Sequence, residues 1–261
     1  MSLRLLAFDT STERLSVALR HGPERLTLNE AGGTLASARL VPAALSMLAQ
    51  AALRLHELDA IAFGRGPGAF TGLRTSAAVA QGLALGAGVP VLPLDSLMIV
   101  AEDARGQLAG RVGEDDGADA DVDIDAAMTV AVCMDARMAE VYAALYRWQG
   151  ARWQVSVAPA LYSLAAMAAL SEAAEQAWSA DVVCGSALSA FGDRLRWSAA
   201  GARVEVEADR AAALLRVTEQ LWRDGHAVDA ALALPLYLRD KVAQTTRERA
   251  AARAAKLGLA G

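Results

Sequence analysis

Apolar positions along the chain fall into short runs that end in turn residues and longer stretches with helical spacing. Residues 3–8 are mostly apolar and stop at Asp9-Thr10-Ser11-Thr12. A second run over 15–20, the turn His21-Gly22-Pro23-Glu24 and a third run over 25–29 complete a predicted three-stranded meander. A helix over 35–55, a strand over 59–64, a glycine-rich turn, a helix over 71–85, a strand over 89–94 and a helix from Ser96 follow. The pattern then starts again. Residues 129–134 form an apolar run ending at Asp135, followed by the turn Ala136-Arg137-Met138-Ala139. Strands over 141–148 and 153–158 flank Gln149-Gly150. Helices over 163–178, 186–197 and 208–224 alternate with strands over 181–185 and 204–207.

A meander followed by alternating helix and strand, occurring twice, implies a mixed sheet covered by helices in each half. This α/β plan is that of the duplicated actin-like and sugar-kinase (ASKHA) fold. There, two aspartates at matching strand ends face each other across a cleft that can hold a metal and nucleotide phosphates. Asp9 and Asp135 stand at those matching points, although an aspartate in such a place can also simply cap its turn. The expected boundaries are 1–108 for the first subdomain, 109–127 for an acidic linker and 128–207 for the second subdomain. Residues 208–235 form a helix and motif packing back on the first, and 236–261 a basic tail.

Charge sharpens this division. The net charge is −5, but segment 113–125 alone carries seven acids and no base, which leaves +2 for the rest of the chain. Such a segment repels itself and has little to bury, so a solvated loop is expected. Its aspartates lack the glycine and distal glutamate of an EF-hand loop. The tail carries Arg239, Lys241, Arg247, Arg249, Arg253 and Lys256 against Asp240 and Glu248. It reads either as a solvated, partly helical end or as a contact for RNA or an acidic partner. Hydrophobic residues make up 54% of the chain, much of it alanine, and no apolar run reaches the roughly 18–20 residues that span a bilayer. The start turns acidic too soon for a signal peptide, and the two cysteines, Cys133 and Cys184, lie in strand-like runs. A cytoplasmic protein without membrane association is expected.

The sharpest local feature is Gly64-Arg65-Gly66-Pro67-Gly68-Ala69-Phe70-Thr71-Gly72-Leu73-Arg74, between a strand and a helix. Its glycines permit close backbone approach, and Thr71 is placed to cap the helix. No lysine follows the last glycine, so it is no P-loop, and Pro67 and Phe70 break the dinucleotide fingerprint. Anion binding and tight packing both remain open. With Ala7-Phe8-Asp9-Thr10-Ser11, Gln81-Gly82-Leu83-Ala84, Met134 to Tyr142 and Pro235-Leu236-Tyr237-Leu238-Arg239, this stretch resembles the bacterial TsaB (YeaZ) family. That family is related to the threonylcarbamoyl-transfer subunit TsaD (Gcp).

The resemblance implies a non-catalytic partner of the TsaD-type subunit in making N6-threonylcarbamoyladenosine in tRNA. It implies a heterodimer, a TsaE-type ATPase in the larger complex, a homodimer when the partner is absent, and tRNA contact only through the complex. The catalytic relatives hold a metal through His-x-x-x-His on a first-half helix. This chain has only His21, His56 and His226, none so spaced, and reads Leu35-Ala36-Ser37-Ala38-Arg39-Leu40-Val41-Pro42 there. His21 and His226 read as surface residues and His56 as a helix end. No catalytic set, metal site or required cofactor is expected. Asp9, Thr10, Ser11, Gly66, Gly68 and Asp135 would line a vestigial cleft that binds ATP or ADP weakly at most. The alternatives are a self-sufficient ATPase or kinase at Asp9 and Asp135 and, behind it, a peptidase. The two first-half helices are apolar on more than one stripe or rich in small residues, which suits burial against a partner. The expected interface is Ser37, Leu40, Val41, Ala44, Thr71, Arg74, Thr75 and Ala78, with Leu40 facing outward and Leu45 and Leu48 undecided.

Overall fold

A computed structural model describes residues 2–112, 126–172, 178–195, 197 and 201–239. The acidic segment 113–125 and the basic tail beyond Arg239 lie outside the described residues. β1 (Arg4–Asp9), β2 (Arg14–His21) and β3 (Glu24–Ala31) form the antiparallel meander. β4 (Ala60–Gly66) and β5 (Val91–Asp95) add in parallel on the free side of β1, giving the order β3-β2-β1-β4-β5. The second half repeats this with β6 (Met128–Asp135), β7 (Glu140–Gln149), β8 (Arg152–Ser163), β9 (Val182–Cys184) and β10 (Ala202–Val204), in the order β8-β7-β6-β9-β10. The two sheets share one topology, the duplicated actin-like α/β fold.

Alternation along β1 shows how the layers arise. Leu5 and Ala7 face the space between the two sheets, and Leu6 and Phe8 face the opposite side. Between the sheets lie α3 (Ser96–Val112) and α6 (Arg210–Arg223). On the outer face of the first sheet lie α1 (Ala36–Gln50) and α2 (Phe70–Ala87). α4 (Leu164–Glu172) and α5 (Ala187–Phe191) cover the second. α6 packs on β1, β2 and α3, so the last described helix lies against the first half.

Several boundaries differ from expectation, among them β10, at Ala202–Val204 instead of 204–207, and α5, which ends at Phe191 instead of 197; two others differ for clear local reasons. α1 stops at Gln50 instead of continuing to 55, because Ala52 takes a left-handed φ of 52° and the Leu53 N–H closes back on Leu48 O at 2.9 Å. Alanine gives no stop signal where glycine would. β8 runs five residues past its predicted end, through a pairing with β7 that shifts register around Leu145.

The halves are also joined through buried polar groups. The Tyr146 hydroxyl of β7 donates to Asp95 Oδ2 of β5 at 2.5 Å, and Trp153 Nε1 of β8 donates to Glu102 of α3 at 2.9 Å. Burial pushes the Asp95 carboxyl up to about 6, with the Tyr146 and Leu97 hydrogen bonds opposing part of the rise. A carboxyl raised in the folded state holds its proton more tightly there than in the unfolded chain. Its contribution is therefore fully present below about pH 4 and lost as pH rises through about 6. Asp95→Asn is expected to remove that decline and to be more stable than the parent above pH 7 by about 1–2 kcal/mol. Urea midpoints of both proteins between pH 5 and 8 check this; parallel curves would refute it.

Candidate functional site

The loop after β4 lies directly on the end of β1. A Cβ on Gly64 would stand 1.6 Å from Asp9 Oδ2, one on Gly72 1.8 Å from Thr10 O, and one on Gly68 2.4 Å from Ser11 O. Close backbone packing, one of the two readings of this motif, accounts for these glycines. The contact is sealed by hydrogen bonds from Thr10 Oγ1 to Gly72 O at 2.7 Å and from Ala69 N to Ser11 O at 2.7 Å. α2 starts at Phe70 behind Ala69, with no side-chain cap. Thr71, expected as the cap, is an exposed residue of the first turn instead. The packed loop backbone sets the helix start in its place.

Asp9 and Arg210 are both buried, at 0% and 1% exposure. Arg210 Nε donates to Asp9 Oδ1 at 3.2 Å, and its Nη2 donates to Ser11 Oγ at 3.1 Å and Ser96 O at 3.3 Å. Its Nη1 donates to the Glu207 carboxylate. Asp9 also accepts from Ser11 N at 2.9 Å, Ser11 Oγ at 2.7 Å and Ser96 Oγ at 2.8 Å. Burial pushes the Asp9 carboxyl up, but Arg210 and the Ser11 and Ser96 hydrogen bonds more than offset it and hold it below the usual range. In the same way Asp9 and Glu207 outweigh the burial of the guanidinium and raise Arg210 further. An internal cation therefore occupies the carboxylate that the cleft reading had assigned to a metal.

Asp135 repeats the turn geometry of Asp9. Its Oδ1 accepts from Arg137 N at 2.8 Å, two residues on, as Asp9 Oδ1 accepts from Ser11 N. Between the halves opens a cleft of about 930 Å³, whose wall includes Ser11, Gly68, Ser96, Asp135 and Arg210. Of the predicted cleft residues, Ser11, Gly68 and Asp135 reach this wall, whereas Asp9, Thr10 and Gly66 do not line it. Arg210 and Ser96 were not anticipated from sequence. None of the three histidines lines the cleft: His21 ends β2, His56 sits in a 3-10 turn over Leu55–Glu57, and His226 follows α6. Among the described residues, no three His, Cys, Asp or Glu side chains are grouped as metal ligands.

The segment Leu236–Arg239 completes the wall. Leu236 N donates to Arg65 O at 2.7 Å, and the Tyr237 ring lies 4.8 Å from that of Phe70. Arg239 donates to Ala136 O at 2.9 Å and to the Glu140 carboxylate on the far side.

On the outer helices, Leu40 does not face outward. It is 0% exposed and packs with Leu6, Phe8, Leu15 and Phe63 under α1, and Ala44 is buried beside it. The error lies in the helix phase: apolar residues on several sides of α1 gave no unique core stripe, and the sheet took the one through Leu40, Ala44, Met47 and Leu48. Leu45 is the outward leucine, at 47% exposure. Ser37, Thr71, Arg74 and Ala78 are exposed, and Val41 and Thr75 are half-buried.

Comparison with known proteins bears on this arrangement. The family described as TsaD, tRNA N6-adenosine threonylcarbamoyltransferase, matches residues 34–260. The tRNA threonylcarbamoyladenosine biosynthesis protein TsaB of Escherichia coli is 31% identical over 92% of this chain and 96% of its own length. The chain belongs to the TsaB (YeaZ) family. The TsaB of Haemophilus influenzae is 41% identical over 54% of this chain and 52% of its own. Among solved structures, YeaZ from Pseudomonas aeruginosa is 34% identical, with a TM-score of 0.74 over 91% of this chain and all of that one. A Pseudomonas aeruginosa protein described as similar to the peptidase YEAZ superposes at 0.75 with 35% identity over 92%. The stretch Leu35–Pro42, where the resemblance implied that a transferase would carry its metal-binding pair, spans the start of α1, and Ala36 and Leu40 there are core residues.

Proposed function

We propose that the chain is a non-catalytic accessory subunit of tRNA N6-threonylcarbamoyladenosine biosynthesis that docks a TsaD-type transferase subunit through the outer faces of α1 and α2. The observation that carries this is the bare face of α2. Gly82, inside α2, and Gly86, in its last turn, are exposed and would meet nothing within 4 Å if given a Cβ. Gly82 costs the helix about 1 kcal/mol relative to alanine, and a side chain at either position would gain this chain no packing. Small residues on a helix face let a second helix come close. Leu85, at 63% exposure, supplies apolar area beside them on the same helix, and Leu45 is the exposed leucine of α1. The TsaB names of the relatives support the pathway. The internal pairing of Asp9 with Arg210, and histidines remote from the cleft, support a role without chemistry of its own. A TsaE-type ATPase and tRNA join through the complex, and a homodimer without the partner would use the same face.

Ala78 lies on this face and is exposed, so Ala78→Arg should leave folding intact. It is expected to weaken binding of the transferase subunit at least about 30-fold, because the added charge must be desolvated at the contact. A pull-down beside a circular-dichroism melt reads both, and unchanged binding would mean the wrong face has been chosen. Given threonylcarbamoyl-adenylate and unmodified tRNA without its partner, the isolated chain is expected to yield no modified tRNA above background. The cleft volume favours one second reading, ATP or ADP binding and turnover there, and sustained ATP hydrolysis by the isolated chain would support it.

A further inference from the structure

We propose that Pro235–Arg239 is a clasp that fixes the width of the cleft and transmits that width to the first turn of α2. The segment has no regular secondary structure, and its two ends are fastened to different halves of the molecule. At the first-half end, Leu236 N is bound to Arg65 O, and Leu236 O would lie 3.0 Å from a Cβ on Gly66. Glycine at 66, with φ 111°, lets the strand-end backbone come this close. Tyr237 then settles on Phe70, the first residue of α2, and its hydroxyl accepts from Arg74 Nε at 3.1 Å. Arg74 in turn stacks 3.9 Å above the Phe70 ring.

At the second-half end, Arg239 holds the turn between β6 and β7 through Ala136 O and Glu140. That turn has three consecutive non-glycine residues in the left-handed region, Arg137, Met138 and Ala139, at φ 63°, 57° and 56°. Residues with a Cβ persist there only where their surroundings over-determine them. Arg239 is one of the groups that do so. Leu236 N–H is the segment's one backbone hydrogen bond among the described residues. The clasp is therefore held mainly by side chains and can release without unfolding either sheet. Thr71 and Arg74 belong to the docking face proposed above, so this part of the inference rests on that reading: the partner meets a helix end whose order depends on the clasp.

The test uses the full chain carrying Arg239→Ala, which is remote from α2, and Tyr237→Phe, which removes only the hydroxyl that Arg74 reaches. Hydrogen exchange of the free chain with Arg239→Ala is expected to rise at least tenfold in both 134–141 and 64–74. With Tyr237→Phe it is expected to rise in 64–74 alone, which keeps the test valid if Arg239→Ala folds poorly. A rise confined to 134–141 in the first variant, or no rise in 64–74 in the second, would overturn the clasp. Affinity for a co-expressed TsaD-type subunit is expected to fall about fivefold with Arg239→Ala. Unchanged affinity beside changed exchange overturns the link to docking. Ala78→Arg in parallel judges the docking reading separately: if it leaves affinity intact, that reading and the link fail together, while the exchange data still decide the clasp.

Discussion

Arg210→Ala is expected to destabilise the protein by about 3–5 kcal/mol, because it strands the Asp9 carboxylate in a site from which water is excluded. At roughly 2–4 °C per kcal/mol for a chain of this size, the melting temperature should fall by about 6–20 °C. The pH dependence should change sign as well. In the parent, Asp9 is held below its ordinary value of 3.8, so its stabilising contribution is present above about pH 4 and lost as pH falls further. Without Arg210, burial dominates and raises the Asp9 carboxyl, so the variant recovers stability as pH falls and the proton returns. Denaturant melts at pH 8 and pH 5 should therefore show a wider gap at pH 8. Asp9→Asn combined with Arg210→Met should recover most of the loss, since it leaves no charge stranded at position 9, while Glu207, with 15% of its side chain exposed, keeps access to solvent. A single variant within 1 kcal/mol of the parent at pH 8 would show that the pair contributes little.

Asp9 was legible in the sequence and Arg210 was not, for a physical reason. An aspartate that ends an apolar run is marked by its own neighbours, whereas an arginine at the start of a polar-faced helix reads as surface. Its burial depends on Asp9 and Ser11, 201 and 199 positions away, which only the packing of α6 against β1 brings close. The same distinction runs through the fold. The antiparallel meander that opens each half, and the alternation of helix and strand after it, follow from local signals and were expected from them, whereas the strand order was not. The phase of α1 was not, because Leu40, Val41, Ala44 and Leu45 offer the helix several apolar faces and only the sheet chooses among them. The Pro235–Arg239 motif was visible as a resemblance, but its bridging of the cleft depends on partners at Arg65, Phe70 and Ala136 that no spacing rule connects.

One substitution made at two glycines of the same helix should give effects of opposite sign. Gly72→Ala is expected to destabilise the chain by about 3 kcal/mol, the upper end of ordinary overpacking. Its Cβ would fall 1.8 Å from Thr10 O and 2.8 Å from Thr10 C, both backbone atoms at the end of β1. Those atoms cannot yield without breaking the 2.7 Å bond from Thr10 Oγ1 to Gly72 O and disturbing the Asp9 turn beside it. The gain in helix propensity, at most about 1 kcal/mol, is too small to compensate. Gly82→Ala meets nothing within 4 Å, so only the propensity term acts, and the isolated chain should become more stable by up to about 1 kcal/mol. If α2 docks a transferase subunit, that same methyl group should weaken binding, because it stands where the partner helix approaches. Melts of both variants, with binding measured for Gly82→Ala, separate the two roles of glycine in one helix. A Gly82→Ala protein that is more stable and binds as tightly as the parent would leave the bare face of α2 without a partner to explain it.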